Sequence, residues 1–153
     1  MEIDAGAPAA ARSQIEIAAP PEIVWSVLTD IDDWPSWNPD VKSATLAGPL
    51  VVGTQFWWKA GPGTITSTLQ SVERPRLIAW TGSTFGINAI HVHRLGQHRN
   101  GTIVTSEESW DGLLARLLRG RMTTTLRKAV ESGVERLKIE SERRAALPTT
   151  PGG

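Results

Sequence analysis

The sequence predicts an α+β fold: a curved sheet of seven antiparallel strands wrapped around one long C-terminal helix, with two short helices after the first strand. Three observations carry this. From Val41 to Trp110, short alternating segments are separated by Gly- and Pro-containing turns at regular intervals, as in a meandering antiparallel sheet. At Gly112 the apolar spacing changes from two to steps of three and four, which marks a helix. Between the first strand and the sheet stands Ala19-Pro20-Pro21-Glu22, where two prolines end a strand and preorganise the first turn of a helix.

The elements follow in order. Ser13 to Ala18 alternates, with Ile15 and Ile17 on one face, and reads as strand one. Glu22 to Thr29 places Val24, Trp25 and Leu28 at helical spacing. Asp30 to Asn38 (DIDDWPSWN) is polar and interrupted by Pro35, so it predicts a second short helix packed through Trp34 and Trp37 and closed by Pro39. Six strands are expected at Lys42–Leu46, Thr54–Lys59, Thr64–Val72, Arg76–Thr81, Gly86–Leu95 and Thr102–Trp110. Leu114, Leu118, Met122, Leu126, Ala129, Gly133 and Leu137 then form one apolar stripe on a helix reaching about Arg143. Gly120 falls inside this stretch, and a weak point or bend is expected there. Residues 12–144 are expected to form a single domain. Residues 1–11 read as a flexible N-terminal tail and 145–153 as a flexible C-terminal one.

Composition narrows the function. The 153 residues balance sixteen basic against sixteen acidic side chains, which gives no basic excess for nucleic acid. There is no cysteine, no basic-then-apolar signal sequence and no run of eighteen apolar residues, so a cytoplasmic protein without a transmembrane segment is expected. Seven Trp, two Phe and no Tyr are present. So many tryptophans suit either a Trp-rich core or the wall of a cavity for an apolar ligand. A twisted sheet gripping one straight helix is hard to fill with side chains, and the leftover space is the natural ligand site.

Strand parity says which side chains face that space. On Thr54–Lys59 they are Phe56 and Trp58, with Trp57 opposite; on Arg76–Thr81, Ile78 and Trp80. On Gly86–Leu95 they are Ile87, Ala89, His91, His93 and Leu95; on Thr102–Trp110, Val104, Ser106, Glu108 and Trp110. Trp37, Ile65 and Ser67 join the expected lining, and the helix offers Leu118, Met122, Leu126, Ala129 and Val130. If the turn pairs Leu95 with Thr102, His91 lies opposite Ser106, Ala89 lies opposite Glu108, and His91 and Glu108 are diagonal neighbours.

The residues also resemble a known family. Ala19-Pro20-Pro21-Glu22-Ile23-Val24-Trp25, Asp30 with Trp34-Pro35-Ser36-Trp37-Asn38, Gly53-Thr54-Gln55-Phe56, Ile78-Ala79-Trp80, Gly86 with His91, Gly101-Thr102, and Glu108 ahead of Gly112 are similar to the SRPBCC superfamily. The likeness is to its bacterial polyketide cyclase/dehydrase branch, related to START lipid-transfer domains and birch-pollen-type allergens. It spans roughly Ser13 to Arg143 and implies the helix-grip fold. It also implies a cytoplasmic, cofactor-independent protein whose partner is a small hydrophobic, polyketide- or lipid-like molecule, in a monomer or homodimer. Because the superfamily includes carriers, sensors, transfer proteins and enzymes, it does not assign chemistry.

For His91 and Glu108 three roles stand open. They can be a structural pair joining two strands, an anchor for a ligand carbonyl or hydroxyl, or an acid/base pair for cyclisation or dehydration of a poly-β-ketone. Family enzymes often also use Tyr or Arg in the pocket. This chain has no Tyr and no clear inward Arg, which favours binding over catalysis. No metal site is expected: His91, His93 and Glu108 could supply two His and a carboxylate, but His98 falls in a turn and cysteine is absent. A protein-interaction module is the third alternative.

Overall fold

The computed structural model describes residues 1–148, so most of the expected C-terminal tail lies outside the described residues. Seven strands form one antiparallel sheet: β1 (Ala9–Ile17), β2 (Ser43–Leu46), β3 (Gln55–Lys59), β4 (Thr64–Glu73), β5 (Leu77–Thr84), β6 (Ile87–His98) and β7 (Gly101–Asp111). Their order is β1-β7-β6-β5-β4-β3-β2, a meander from β2 to β7 with β1 added beside β7. Helix α1 (Pro21–Thr29), a 3₁₀ turn at Ile31–Asp33 and the single-turn α2 (Trp34–Trp37) follow β1, and α3 (Leu113–Leu117) and α4 (Arg119–Ala145) close the chain. This is the helix-grip fold.

Four boundaries differ from expectation. Strand β1 begins at Ala9, because Ala9, Ala10 and Ala11 pair with Trp110, Ser109 and Glu108. Part of the expected N-terminal tail is therefore strand, and upstream Ile3 packs on Leu77, Ala79 and Val92. The β6–β7 connection is tighter than expected. His98 pairs with Gly101 across the two-residue turn Arg99–Asn100, with Arg99 in the left-handed region at φ 54°. The register is consequently two residues from the expected one: Leu95 pairs with Val104, His93 with Ser106, His91 with Glu108 and Ala89 with Trp110. Finally, the C-terminal helix is interrupted at Leu118 (φ −116°, ψ 39°), two residues before Gly120. A side chain at Gly120 would meet open space, so neither packing nor its own backbone puts the break there.

The core explains how the helix is seated. Ile17, Val24, Val27, Leu28, Ile31, Trp34, Phe56, Leu69, Ile78, Trp80, Leu95, Val104 and Leu137 form one buried cluster between sheet and helices. Leu126 and Val130 pack with Ala9 in a second cluster. Helix α4 thus lies along β1 and β7 and against α1, rather than over the middle of the sheet. Glu142 accepts the Ala18 backbone N–H at 2.9 Å, and Lys138 donates to the Glu16 carbonyl at 2.9 Å. Glu140 binds Arg143 and Arg144, and Arg144 reaches Asp33 at 2.9 Å. These cations hold the Glu140 carboxyl down at about 2. The helix is fastened along one side and at its C-terminal end, and its backbone packs on β1 and β7 rather than on β3 to β6.

Candidate functional site

Between α4 and the inner face of the sheet lies a cavity of about 710 Å³. Its wall is aromatic because the alternation of β3, β5, β6 and β7 turns bulky rings inward. Trp34, Trp37, Trp58, Trp80 and Trp110 all line it, together with His91 and His93. Trp34 stands edge-on to Trp58 at a centroid distance of 5.5 Å and lies 5.7 Å from Trp80. Trp80 continues to His91 at 4.9 Å and His93 at 5.1 Å, and the two imidazoles lie 4.2 Å apart. The rings make one continuous surface. Trp58 is held in place by its Nε1–H, which donates to Ser67 Oγ at 3.0 Å.

The expected lining residues divide. Trp37, Trp58, Ile65, Ser67, Trp80, Ala89, His91, His93, Glu108, Trp110, Met122 and Ala129 reach the cavity. Phe56 and Ile78 point inward as parity predicts, but both are wholly buried in the core beneath it. Ser106 is buried behind the imidazoles. Leu126 and Val130 face β1 instead, because α4 is seated on that edge. Leu118, at the helix break, is exposed.

The alternation also left residues unnoticed. The two-residue β5–β6 turn brings Phe85 to the opening, where its ring lies against Gly63 of the β3–β4 connection. The Leu114 backbone N–H donates to the Gly86 carbonyl at 3.1 Å, which fixes α3 beside this turn. Gly112 allows that approach: at φ 107°, a Cβ would sit 2.4 Å from the Gly86 oxygen. The Gly86–Gly112 pair was visible in the sequence, but nothing local says that they touch.

At the inner end, His91 and Glu108 face each other directly, with Nδ1 and Oε2 3.5 Å apart. His91 Nε2 and Ser106 Oγ form a 2.9 Å hydrogen bond, and Trp110 Nε1–H donates to Glu108 Oε1 at 2.9 Å. Burial dominates their titration. It lowers His91 to about 3 and holds His93 well below the usual imidazole range, with the neighbouring His91 adding to the effect. Burial also raises Glu108 to about 7, against the opposing pull of the Trp110 N–H. At neutral pH both imidazoles are uncharged and Glu108 is poised near its midpoint.

A signed consequence follows for Glu108. Its folded value lies above the ordinary 4.5, so the native state holds this proton more tightly than the unfolded chain. The contribution of Glu108 to stability is full below pH 4.5 and is lost as pH rises through 7. Glu108→Gln keeps an oxygen for Trp110 and carries no charge. It should match wild type in urea unfolding at pH 4 and exceed it by about 1–3 kcal/mol at pH 8.5. An equal difference at both values would contradict the burial described here.

Among the described residues no cluster of three or more His, Asp or Glu side chains is arranged to hold a metal. No helix among them is long and apolar enough to cross a membrane.

Residues 8–142 match the family model described as polyketide cyclase/dehydrase and lipid transport. No curated protein matches the chain. Similar solved structures include a hypothetical protein of Helicobacter pylori, with a TM-score of 0.80 and 14% identity over 91% of each chain. Another is the di-domain ARO/CYC protein StfQ of the steffimycin biosynthetic pathway, with a TM-score of 0.75 and 13% identity over 90% of this chain. This chain spans about half of that protein, 52% of its length. A START superfamily protein of Mycobacterium smegmatis gives a TM-score of 0.70 and 13% identity over 88% of this chain and 98% of its own. At such identities the likeness speaks for the fold alone.

Proposed function

Because the chain belongs to the polyketide cyclase/dehydrase and lipid-transport family, we propose that it binds one small hydrophobic or aromatic molecule, polyketide- or lipid-like, in the cavity between sheet and helix. The observation that carries this reading is the set of five tryptophans lining about 710 Å³ of unfilled space. A Trp-rich core would fill that space with its own rings, whereas here Trp37, Trp58 and Trp110 stay only partly buried at its surface. Rigid aromatic surfaces with a few polar groups at one end are the usual makeup of a small-molecule site. Trp58, Trp80 and Trp110 supply the walls and His91 and Glu108 the polar end.

One feature favours a second reading, a cofactor-independent cyclase or dehydratase. Glu108 titrates near neutrality at the inner end of the cavity, as a general acid/base should. In that case Glu108 exchanges the proton, because an imidazole held near 3 is too weak a base at pH 7. His91 then positions the carboxyl group.

Native mass spectrometry of the purified protein tests the first reading. A discrete added mass that disappears on denaturation is expected. Pyrene should also bind, quenching tryptophan emission by energy transfer. A bare mass together with unchanged emission across a pyrene titration would overturn the reading. Chemical change of a bound poly-β-ketone, lost in Glu108→Gln with affinity retained, would select the enzyme.

A further inference from the structure

Polar groups lining the cavity are incomplete in a way that describes their ligand. Trp37 Nε1 and His93 Nδ1 are buried atoms with no hydrogen-bond partner among the described residues, His91 Nδ1 has none closer than the Glu108 carboxyl at 3.5 Å, and all three side chains line the cavity. Leaving such groups unpaired is costly, so a ligand that reaches them and pairs them gains what the protein forgoes. The charges lining the cavity are equally telling. Besides the two imidazoles, they are Asp40 and Lys42, both exposed, and Glu108 at the inner end. Among the described residues no Lys or Arg lines the inner end.

We propose that the inner end selects an uncharged oxygen-bearing ligand, an alcohol or phenol on an apolar aromatic body, and rejects carboxylates. The proposal rests on the reading that the cavity encloses an apolar molecule, and names its polar chemistry. A carboxylate brings only acceptors and one negative charge, which would sit beside Glu108 with no cation to neutralise it. A hydroxyl both donates and accepts. Its oxygen answers an indole N–H, and the group answers an imidazole Nδ1 in whichever tautomer that ring holds. The depressed values of His91 and His93 agree, since neither ring supplies the positive charge an anion would need.

The test is a matched set of probes on one ring system: 1-pyrenemethanol, 1-pyrenecarboxylate and pyrene itself, titrated at pH 7.5 by tryptophan-to-pyrene energy transfer. The alcohol should bind at least about tenfold more tightly than the carboxylate, since an uncompensated charge at a desolvated site costs more than a factor of ten. It should also exceed pyrene, and Trp37→Phe should lower the ratio of alcohol to pyrene affinity severalfold. Equal or tighter binding of the carboxylate would overturn the proposal and leave the enclosed-ligand reading standing. An alcohol no better than pyrene would do the same. Failure of all three probes, pyrene included, would remove the enclosed-ligand reading and this proposal with it. The comparison among probes uses the wild-type chain and does not depend on the variant folding.

Discussion

Replacing Trp34 by Ala should destabilise the protein by about 4–5 kcal/mol, near the upper end for a single core truncation. Its indole is 5% exposed and stands where the short helices meet the sheet. One edge meets Phe56 at a centroid distance of 5.6 Å, another meets Trp58 at 5.5 Å, and the ring lies 5.7 Å from Trp80. Its Nε1–H donates to the Leu28 carbonyl at 2.9 Å, a buried acceptor at the end of α1. The substitution therefore opens a void, removes three aromatic contacts and strands a carbonyl. Folded domains of this size have roughly 5–15 kcal/mol in reserve, so much of that margin would go. Trp34→Phe keeps part of the ring but loses the hydrogen bond, and should cost about 1–3 kcal/mol. Urea unfolding of both variants checks the order. A loss below about 1 kcal/mol for Trp34→Ala would mean that Trp34 does not join the two layers.

Gly133→Phe should weaken ligand binding strongly without harming the fold. Gly133 lies inside α4 and lines the cavity, and a Cβ built on it meets no atom within 4 Å. Gly inside a helix costs about 0.5–1 kcal/mol relative to Ala, so replacing it removes a helix weakness, and the ring projects into space the ligand would fill. Pyrene affinity should drop by about 10- to 100-fold, the range set by an overpacking penalty of about 1–3 kcal/mol, while the thermal midpoint holds or rises. Gly120→Phe is the control. Gly120 is also in α4 with open space around it, but it does not line the cavity, so affinity should be unchanged there. If Gly133→Phe binds pyrene as wild type does, the ligand sits elsewhere.

These two positions show how differently the fold and the site are written in the chain. Inward and outward faces were legible because strand parity is local: Phe56, Trp58, Trp80, His91, His93 and Trp110 turn inward as alternation requires, and Trp57 is exposed. The β6–β7 register was misplaced by two residues, yet no residue changed face, since a shift of two preserves the pleat where a shift of one would reverse it. The partner did change. His91 meets Glu108 squarely because Arg99 takes a left-handed conformation and shortens the turn, and a single Arg-Asn pair gives weak notice of that.

By itself, the sequence determined the order of elements, the helix-grip class and the aromatic character of the inner face, all of which follow from local periodicity and side-chain size. Only the tertiary structure decided where α4 rests. Packing Leu126 and Val130 on Ala9 draws the helix to the β1 edge, and the space left between it and the sheet is the cavity, while Phe56, Leu69 and Ile78 of β3, β4 and β5 stay in the core. It also decided which groups are deprived of water. His91 and Glu108 titrate far from their ordinary values because elements distant in sequence enclose them, and desolvation depends on everything around a group rather than on its neighbours in the chain.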